Sequence, residues 1–222
     1  MKGKFITFEG GEGTGKSTQA VTLASRLESH GIGVKLTREP GGSPGAEIMR
    51  YVLLSGAAKP LGPEAEAILF AAARDDHIRC TIQPALAAGH WVISDRFADS
   101  TRVYQGELGD VDPRLIKALE RVSVGNLRPD LTLVLDVPAQ VGQHRAAGRR
   151  GEESPDRFEA ETIDFHERLR QAYLMLAAGE PQRCVIIDAT APKMTVAKRV
   201  FEAVTARLRP AAPPVRLASG SR

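Results

Sequence analysis

Residues 8–18, FEGGEGTGKST, set Gly10, Gly15, Lys16 and Ser17 in the spacing G-x-x-x-x-G-K-[ST]. The run stands between a short apolar segment, KFITFE, and a segment, STQAVTLASRLESHG, that carries Val21, Ala24 and Leu27 at helical spacing before a glycine stop at Gly31. Strand, glycine-rich loop, helix is the order that builds an anion cradle. Glycines let successive backbone N–H groups point at one phosphate, and the helix N-terminus adds the positive end of its dipole. Gly10, Gly11, Glu12, Gly13, Thr14, Gly15, Lys16, Ser17 and Thr18 are therefore the expected nucleotide-phosphate site, with Lys16 reaching the β- and γ-phosphates and the Ser17 hydroxyl suited to Mg²⁺. Gly11, Gly13 and Gly15 do not have the spacing G-x-G-x-x-G, which disfavours a nicotinamide enzyme. The acid at Glu12, inside an anion-binding loop, needs its own explanation.

The rest of the chain repeats the strand–helix alternation. GVKLT at 33–37, HWVISD at 90–95, LTLVLDV at 131–137 and CVIID at 184–188 read as four further strands, with helical stretches between them. Several helices open on a proline in the first turn, as in Ser43-Pro44, Gly62-Pro63, Asp112-Pro113 and Ser154-Pro155, where the missing N–H costs nothing. Continuous apolar strands separated by helices predict a buried parallel sheet covered on both faces. The expectation is an α/β, three-layer P-loop NTPase fold with a five-stranded parallel sheet, in one domain over residues 1–208. RPAAPPVRLASGSR, from 209, is expected to be a disordered tail.

Composition narrows the function. Thirty basic against 27 acidic residues give a net charge of +3, a slight excess and no nucleic-acid signature. Cys80 and Cys184 have no CxxC spacing and the five histidines form no metal-binding cluster, so a structural metal or disulfide scaffold is not expected. MKGKFITF is shorter than a signal peptide and no long uncharged apolar run follows. The reading is a soluble, cytoplasmic protein with no membrane partner.

A phosphate loop alone does not separate a GTP switch, a motor or transporter ATPase and a small-molecule kinase. The single asparagine, Asn126, sits in GNLRP and not in an Asn-Lys-x-Asp guanine reader, and the LSGGQ signature of transporters is missing. A kinase remains, with a second substrate supplying the acceptor oxygen. Arg38 in TREPGG and Asp95-Arg96 in ISDRF fall at strand carboxyl ends, the edge where open α/β sheets bind ligands. Asp136, closing LVLDV, is an equal candidate with Asp95 for the carboxylate that faces Mg²⁺.

FITFEGGEGTGKST, TREPGG, LFAAAR, VISDRF, STRVYQG, RPDLTLVLDV, DRFE and VIIDAT, in this order, resemble the thymidylate kinase family over nearly the whole chain to about residue 205. The resemblance implies a homodimer that transfers the ATP γ-phosphoryl to dTMP with Mg²⁺. It also implies roles. Phe70 would stack on thymine and Arg74 would hydrogen-bond its carbonyl, the two sharing a helix face at i and i+4. Ser100 and Thr101 would contact the base region, Tyr104 would pack under the sugar and exclude a ribose 2′-hydroxyl, Arg38 and Arg96 would grip the acceptor phosphate, and Asp95 would stand near Mg²⁺. Arg149 and Arg150 would belong to a lid at about 146–157 that closes over ATP. Glu12 would lie near the deoxyribose 3′-hydroxyl and orient Arg96. Gly13 stands where one branch of the family has a catalytic arginine, and the basic lid matches the bacterial branch. Phe97 departs from the Tyr or His common after Asp-Arg, and Ala71 from the Tyr common after Phe70. Open alternatives are a kinase for another acceptor and a non-catalytic nucleotide-binding protein on the same fold.

Overall fold

The computed structural model describes residues 3–150 and 156–210. Five strands, β1 (Phe5–Glu9), β2 (Val34–Arg38), β3 (Trp91–Asp95), β4 (Leu131–Asp136) and β5 (Cys184–Asp188), form one sheet in the order β2-β3-β1-β4-β5 with every pairing parallel. The observed ends differ from the sequence reading by a residue at four strands, within the fraying of any strand end. Every strand closes on a charged side chain, Glu9, Arg38, Asp95, Asp136 or Asp188, so one edge of the sheet gathers charge while its interior is apolar.

Alternation along the strands sorts the core into two layers. Ile6, Phe8, Ile93, Leu131, Leu133 and Leu135 pack against α1 (Lys16–Ser29) and α9 (Lys193–Leu208). Phe5 and Val92 face the opposite way, against Ile78 and Ile82, and Val134 packs on Leu169 and Tyr173 of α8 (Ile163–Gly179). The sheet is thus covered on both faces as read from its continuous apolar strands. In α1 the buried stripe is Ala20, Leu23, Ala24 and Leu27, whereas Val21 is 52% exposed. Steps of three residues drift by about 60° per step around a helix, so Val21 and Leu27 cannot share a face.

Pro44, Pro63 and Pro113 open α2 (Pro44–Leu54), α3 (Pro63–His77) and α6 (Pro113–Ser123); Ser154-Pro155 lies outside the described residues. After α3 the helix runs through a π-helical stretch, Ile78–Ile82, into α4 (Gln83–Ala87), and α5 (Ala98–Thr101) runs into a second, Arg102–Leu108. The second stretch carries Tyr104, and π-helical turns recur at functional sites. α7 (Ala139–Arg150) leads into the expected lid, of which 151–155 lie outside the described residues, as does the tail from 211.

Candidate active site

The loop between β1 and α1 meets the demands of an anion cradle. Gly15 caps α1 in the left-handed region at φ 92°, no side chain caps the helix, and no acid stands in its first turn. The free N–H groups at that end therefore face outward with an uncompensated dipole. Lys16 Nζ donates to the carbonyls of Gly10 (3.1 Å) and Gly11 (2.7 Å). Burial first, and the Arg96 charge second, bring its ammonium down to about 8. Thr14 donates to Gly11 O at 3.0 Å and closes the turn. Gly13, at φ 66°, lies so close to α7 that an added Cβ would stand 1.9 Å from the carbonyl of Gly142. No side chain, arginine included, fits there.

Glu12 turns its side chain away from the cradle. Its Oε1 accepts from Arg96 Nη2 in a very short ion pair and from Tyr104 Oη at 3.0 Å. Burial would raise this carboxyl, but Arg96, Lys16 and the Tyr104 hydroxyl together hold it at about 2. Arg96 has a left-handed backbone, φ 71°, which is uncommon for a residue with a Cβ. Its guanidinium also donates to Gly10 O (3.2 Å), Ser100 Oγ (3.2 Å), Tyr173 Oη (3.1 Å) and Tyr104 Oη (3.1 Å). The carboxylates and tyrosines around it keep it charged although burial opposes that charge.

A cleft of ≈ 370 Å³ opens on this edge, a size suited to a small ligand. Lys16, Ser17, Thr18, Arg38, Phe70, Arg74, Asp95, Arg96, Ser100, Thr101, Tyr104 and Arg149 all line it, so residues up to 133 positions apart in sequence share one wall. Arg74 is fixed by Glu39 Oε2 (2.8 Å), Phe97 O (3.2 Å) and Thr101 Oγ1 (3.0 Å), which leaves Nη1 without a partner among the described residues. Glu39 is shared with His77 Nδ1 at 3.0 Å. Phe97 is buried edge-on against Phe5 beneath Arg74, and Ala71 is buried on the far side of α3 from solvent. Ser100, on the cleft wall, hydrogen-bonds Arg96, Glu9 and Tyr173. Arg38 makes a forked pair with Glu47 (3.0 and 3.1 Å).

The two candidate carboxylates separate. Asp95 accepts the Ser17 hydroxyl in a very short contact, while Asp136 is locked in a fork from Arg170 at 2.7 and 3.0 Å. Two adjacent hard oxygens at the mouth of a phosphate cradle suit Mg²⁺, which keeps several waters and takes the rest of its shell from substrate phosphates. On the lid side, Arg149 reaches Glu159 at 2.6 Å and is 63% exposed; the side chain of Arg150 lies outside the described residues.

Several lining residues have no local signal in the sequence. Arg50, in the middle of α2, donates to Pro40 O at 2.7 Å, and burial and the neighbouring Arg38 hold its guanidinium below the usual arginine range. Two like charges crowded in a cleft are what an anion site requires. Phe158 stands 5.1 Å from the Tyr104 ring and 6.2 Å from Phe70, and Glu9 and Tyr173 lie directly behind Arg96. Only the DRFE motif, which contains Phe158, offered a hint.

Comparison with known proteins agrees with this geometry. Residues 8–200 match the family model described as Thymidylate kinase. The thymidylate kinase of Bradyrhizobium diazoefficiens is 61% identical over 209 residues, covering 94% of this chain and 92% of that protein. That of Nitrobacter winogradskyi is 61% identical over 204 residues, covering 92% and 89%. The crystal structure of thymidylate kinase from Ehrlichia chaffeensis superposes with a TM-score of 0.74 at 32% identity, covering 92% of this chain and all of that one. With sequence and fold agreeing over nearly its whole length, the chain belongs to the thymidylate kinase family.

Proposed function

We propose that the protein transfers the γ-phosphoryl group of ATP to the phosphate of dTMP, releasing dTDP and ADP. The observation that carries this reading is the divided role of one loop. Its backbone and Lys16 face the cradle at the start of α1, while the Glu12 side chain, clamped by Arg96 and Tyr104, faces the cleft where an acceptor would lie.

In this reading an oxygen of the dTMP phosphate attacks the γ-phosphorus in line and the bond to the β–γ bridging oxygen breaks. The acceptor is already an anion, so no residue must take a proton from it, and catalysis is positioning and charge compensation. Lys16 holds the donor phosphates. Arg38, Arg50 and Arg96 draw the acceptor phosphate towards them against the repulsion between two anions. Arg149 and Arg150 meet the charge that develops on the group in flight. Ser17 and Asp95 would hold the Mg²⁺ that accompanies ATP, which would supply charge neutralisation for the donor phosphates. Phe70 stacks on the base, Arg74 offers Nη1 to a base carbonyl, and Tyr104, held by Glu12, leaves no room for a 2′-hydroxyl.

Exposed apolar side chains support a homodimer. Ile48 and Tyr51 on α2, Ile68 on α3 and Val122 on α6 project from three helices packed in a row, a patch that a second copy would cover. Among the described residues no helix is long and apolar enough to cross a membrane, and we place the protein in the cytoplasm. The test of the reaction is ADP release with dTMP, dUMP, CMP, GMP, AMP and shikimate as acceptors. Turnover strongest with dTMP is expected; preference for another acceptor refutes the assignment.

A further inference from the structure

Glu9 closes β1 on the sheet face opposite Ile6 and Phe8, and it is 0% exposed. A buried acid is costly unless its oxygens are well used, and these are. Oε1 accepts the backbone N–H of Phe97 at 2.8 Å, and Oε2 accepts Ser100 Oγ at 2.7 Å and Tyr173 Oη at 3.1 Å. Those two hydroxyls lie 2.9 Å apart, and both accept from Arg96 Nη1. One layer of hydroxyls thus separates a buried carboxylate from the guanidinium that faces the cleft.

A hydroxyl has one proton and two lone pairs. If its proton is taken by a carboxylate, its lone pairs are left for an incoming N–H; if not, the proton can turn towards the cation. We propose that Glu9 and Tyr173 are positioning residues for Arg96: the Glu9 carboxylate takes the hydroxyl protons of Ser100 and Tyr173, so both oxygens face the guanidinium, and it ties down the backbone of Phe97 immediately after the left-handed turn at Arg96. The carboxylate form is held there at a cost. Burial, and then Asp99 on α5, push the Glu9 acid up to about 7, with Arg96, Ser100 and Phe97 N–H opposing. An apolar side chain would fill the space without that cost but would leave two hydroxyls undirected.

This inference rests on the role given to Arg96 above, and one double-mutant cycle separates the two. Steady-state kinetics of the full chain would compare Glu9→Gln and Tyr173→Phe, each alone and combined with Arg96→Ala. Glu9→Gln is expected to lower kcat/KM for dTMP about tenfold and Tyr173→Phe about threefold, both within the scale of an ordinary intramolecular hydrogen bond. The KM for ATP should not move, and neither change should lower activity further once Arg96 is gone. Losses that persist in the Arg96→Ala background, an equal shift in the KM for ATP, or single variants equal to wild type overturn the inference. If Glu9→Gln does not accumulate as folded protein, Tyr173→Phe decides alone, since it deletes one hydroxyl and leaves the carboxylate with Ser100 and Phe97. Near-normal turnover of Arg96→Ala by itself would instead refute the role of Arg96.

Discussion

Arg96 and Arg149 are both cations on the wall of one cleft, and their surroundings are opposite. Arg96 sits 15% exposed among five acceptors drawn from the phosphate loop, the helical run after β3 and α8. Arg149 is 63% exposed and pairs with the carboxylate of Glu159. The first is part of a wall built before any substrate arrives, at the cost of burying charge. The second stands largely in solvent, held to one carboxylate of the lid side. A kinase needs both: a fixed site that orients the acceptor and a cation that can follow the donor phosphate as the site closes.

Substitutions at the two arginines should have effects of different kind and size. Arg96→Ala should lower kcat/KM by about 10³-fold, the scale of losing a preorganised charge contact. It should also reduce the melting temperature, because Glu12 would be left buried without its counter-charge, a loss of about 3–5 kcal/mol; scanning fluorimetry and ADP release read both. Arg149→Ala should lower kcat by about 10–100-fold with the melting temperature unchanged. A comparable loss of stability at Arg149 would mean the lid is as prebuilt as the wall. Arg74→Ala should raise the KM for dTMP about tenfold and leave that for ATP alone, since its contacts are all on the acceptor side; equal effects would remove it from the base site.

The smallest effect concerns the two acids on either side of Arg96. Glu12, held at about 2, contributes stability that is present above its usual value of 4.5 and is lost as pH falls towards 2. Glu9, raised to about 7, has the opposite sign. It favours folding while protonated, fully below 4.5, and that contribution is lost as pH rises through 7. Between pH 5 and 8 the melting temperature of wild type should therefore decline relative to Glu9→Gln, and parallel curves would contradict the Glu9 environment.

How much of this was legible in the sequence follows from how local each signal is. The phosphate loop, the apolar strands and the proline-opened helices are written in runs of a few neighbouring residues, and the sheet and its two covering layers follow from them. Val21 failed because spacing by three imitates a helical stripe for one turn and then drifts. Asp95 and Asp136 both end apolar strands, and only the third dimension gave Asp136 to Arg170 and Asp95 to Ser17. Arg50, Glu9 and Tyr173 lie mid-helix or at a strand end with no neighbouring pattern; their meaning comes from residues as far apart as Glu9 and Tyr173, joined only by the fold. Family resemblance reached Phe70, Arg74 and Tyr104 because the motif carries them, whatever their local context.

In the proposed reaction the phosphate loop has two working faces, backbone and Lys16 for the donor and Glu12 for the acceptor. Calorimetric titration of Glu12→Ala with dTMP, and separately with ATP, tests it most directly. Affinity for dTMP should fall about tenfold or more, the scale of losing the carboxylate that orients Arg96, while affinity for ATP stays within about twofold of wild type. An equal loss for both ligands, or an unchanged affinity for dTMP, would contradict the claim.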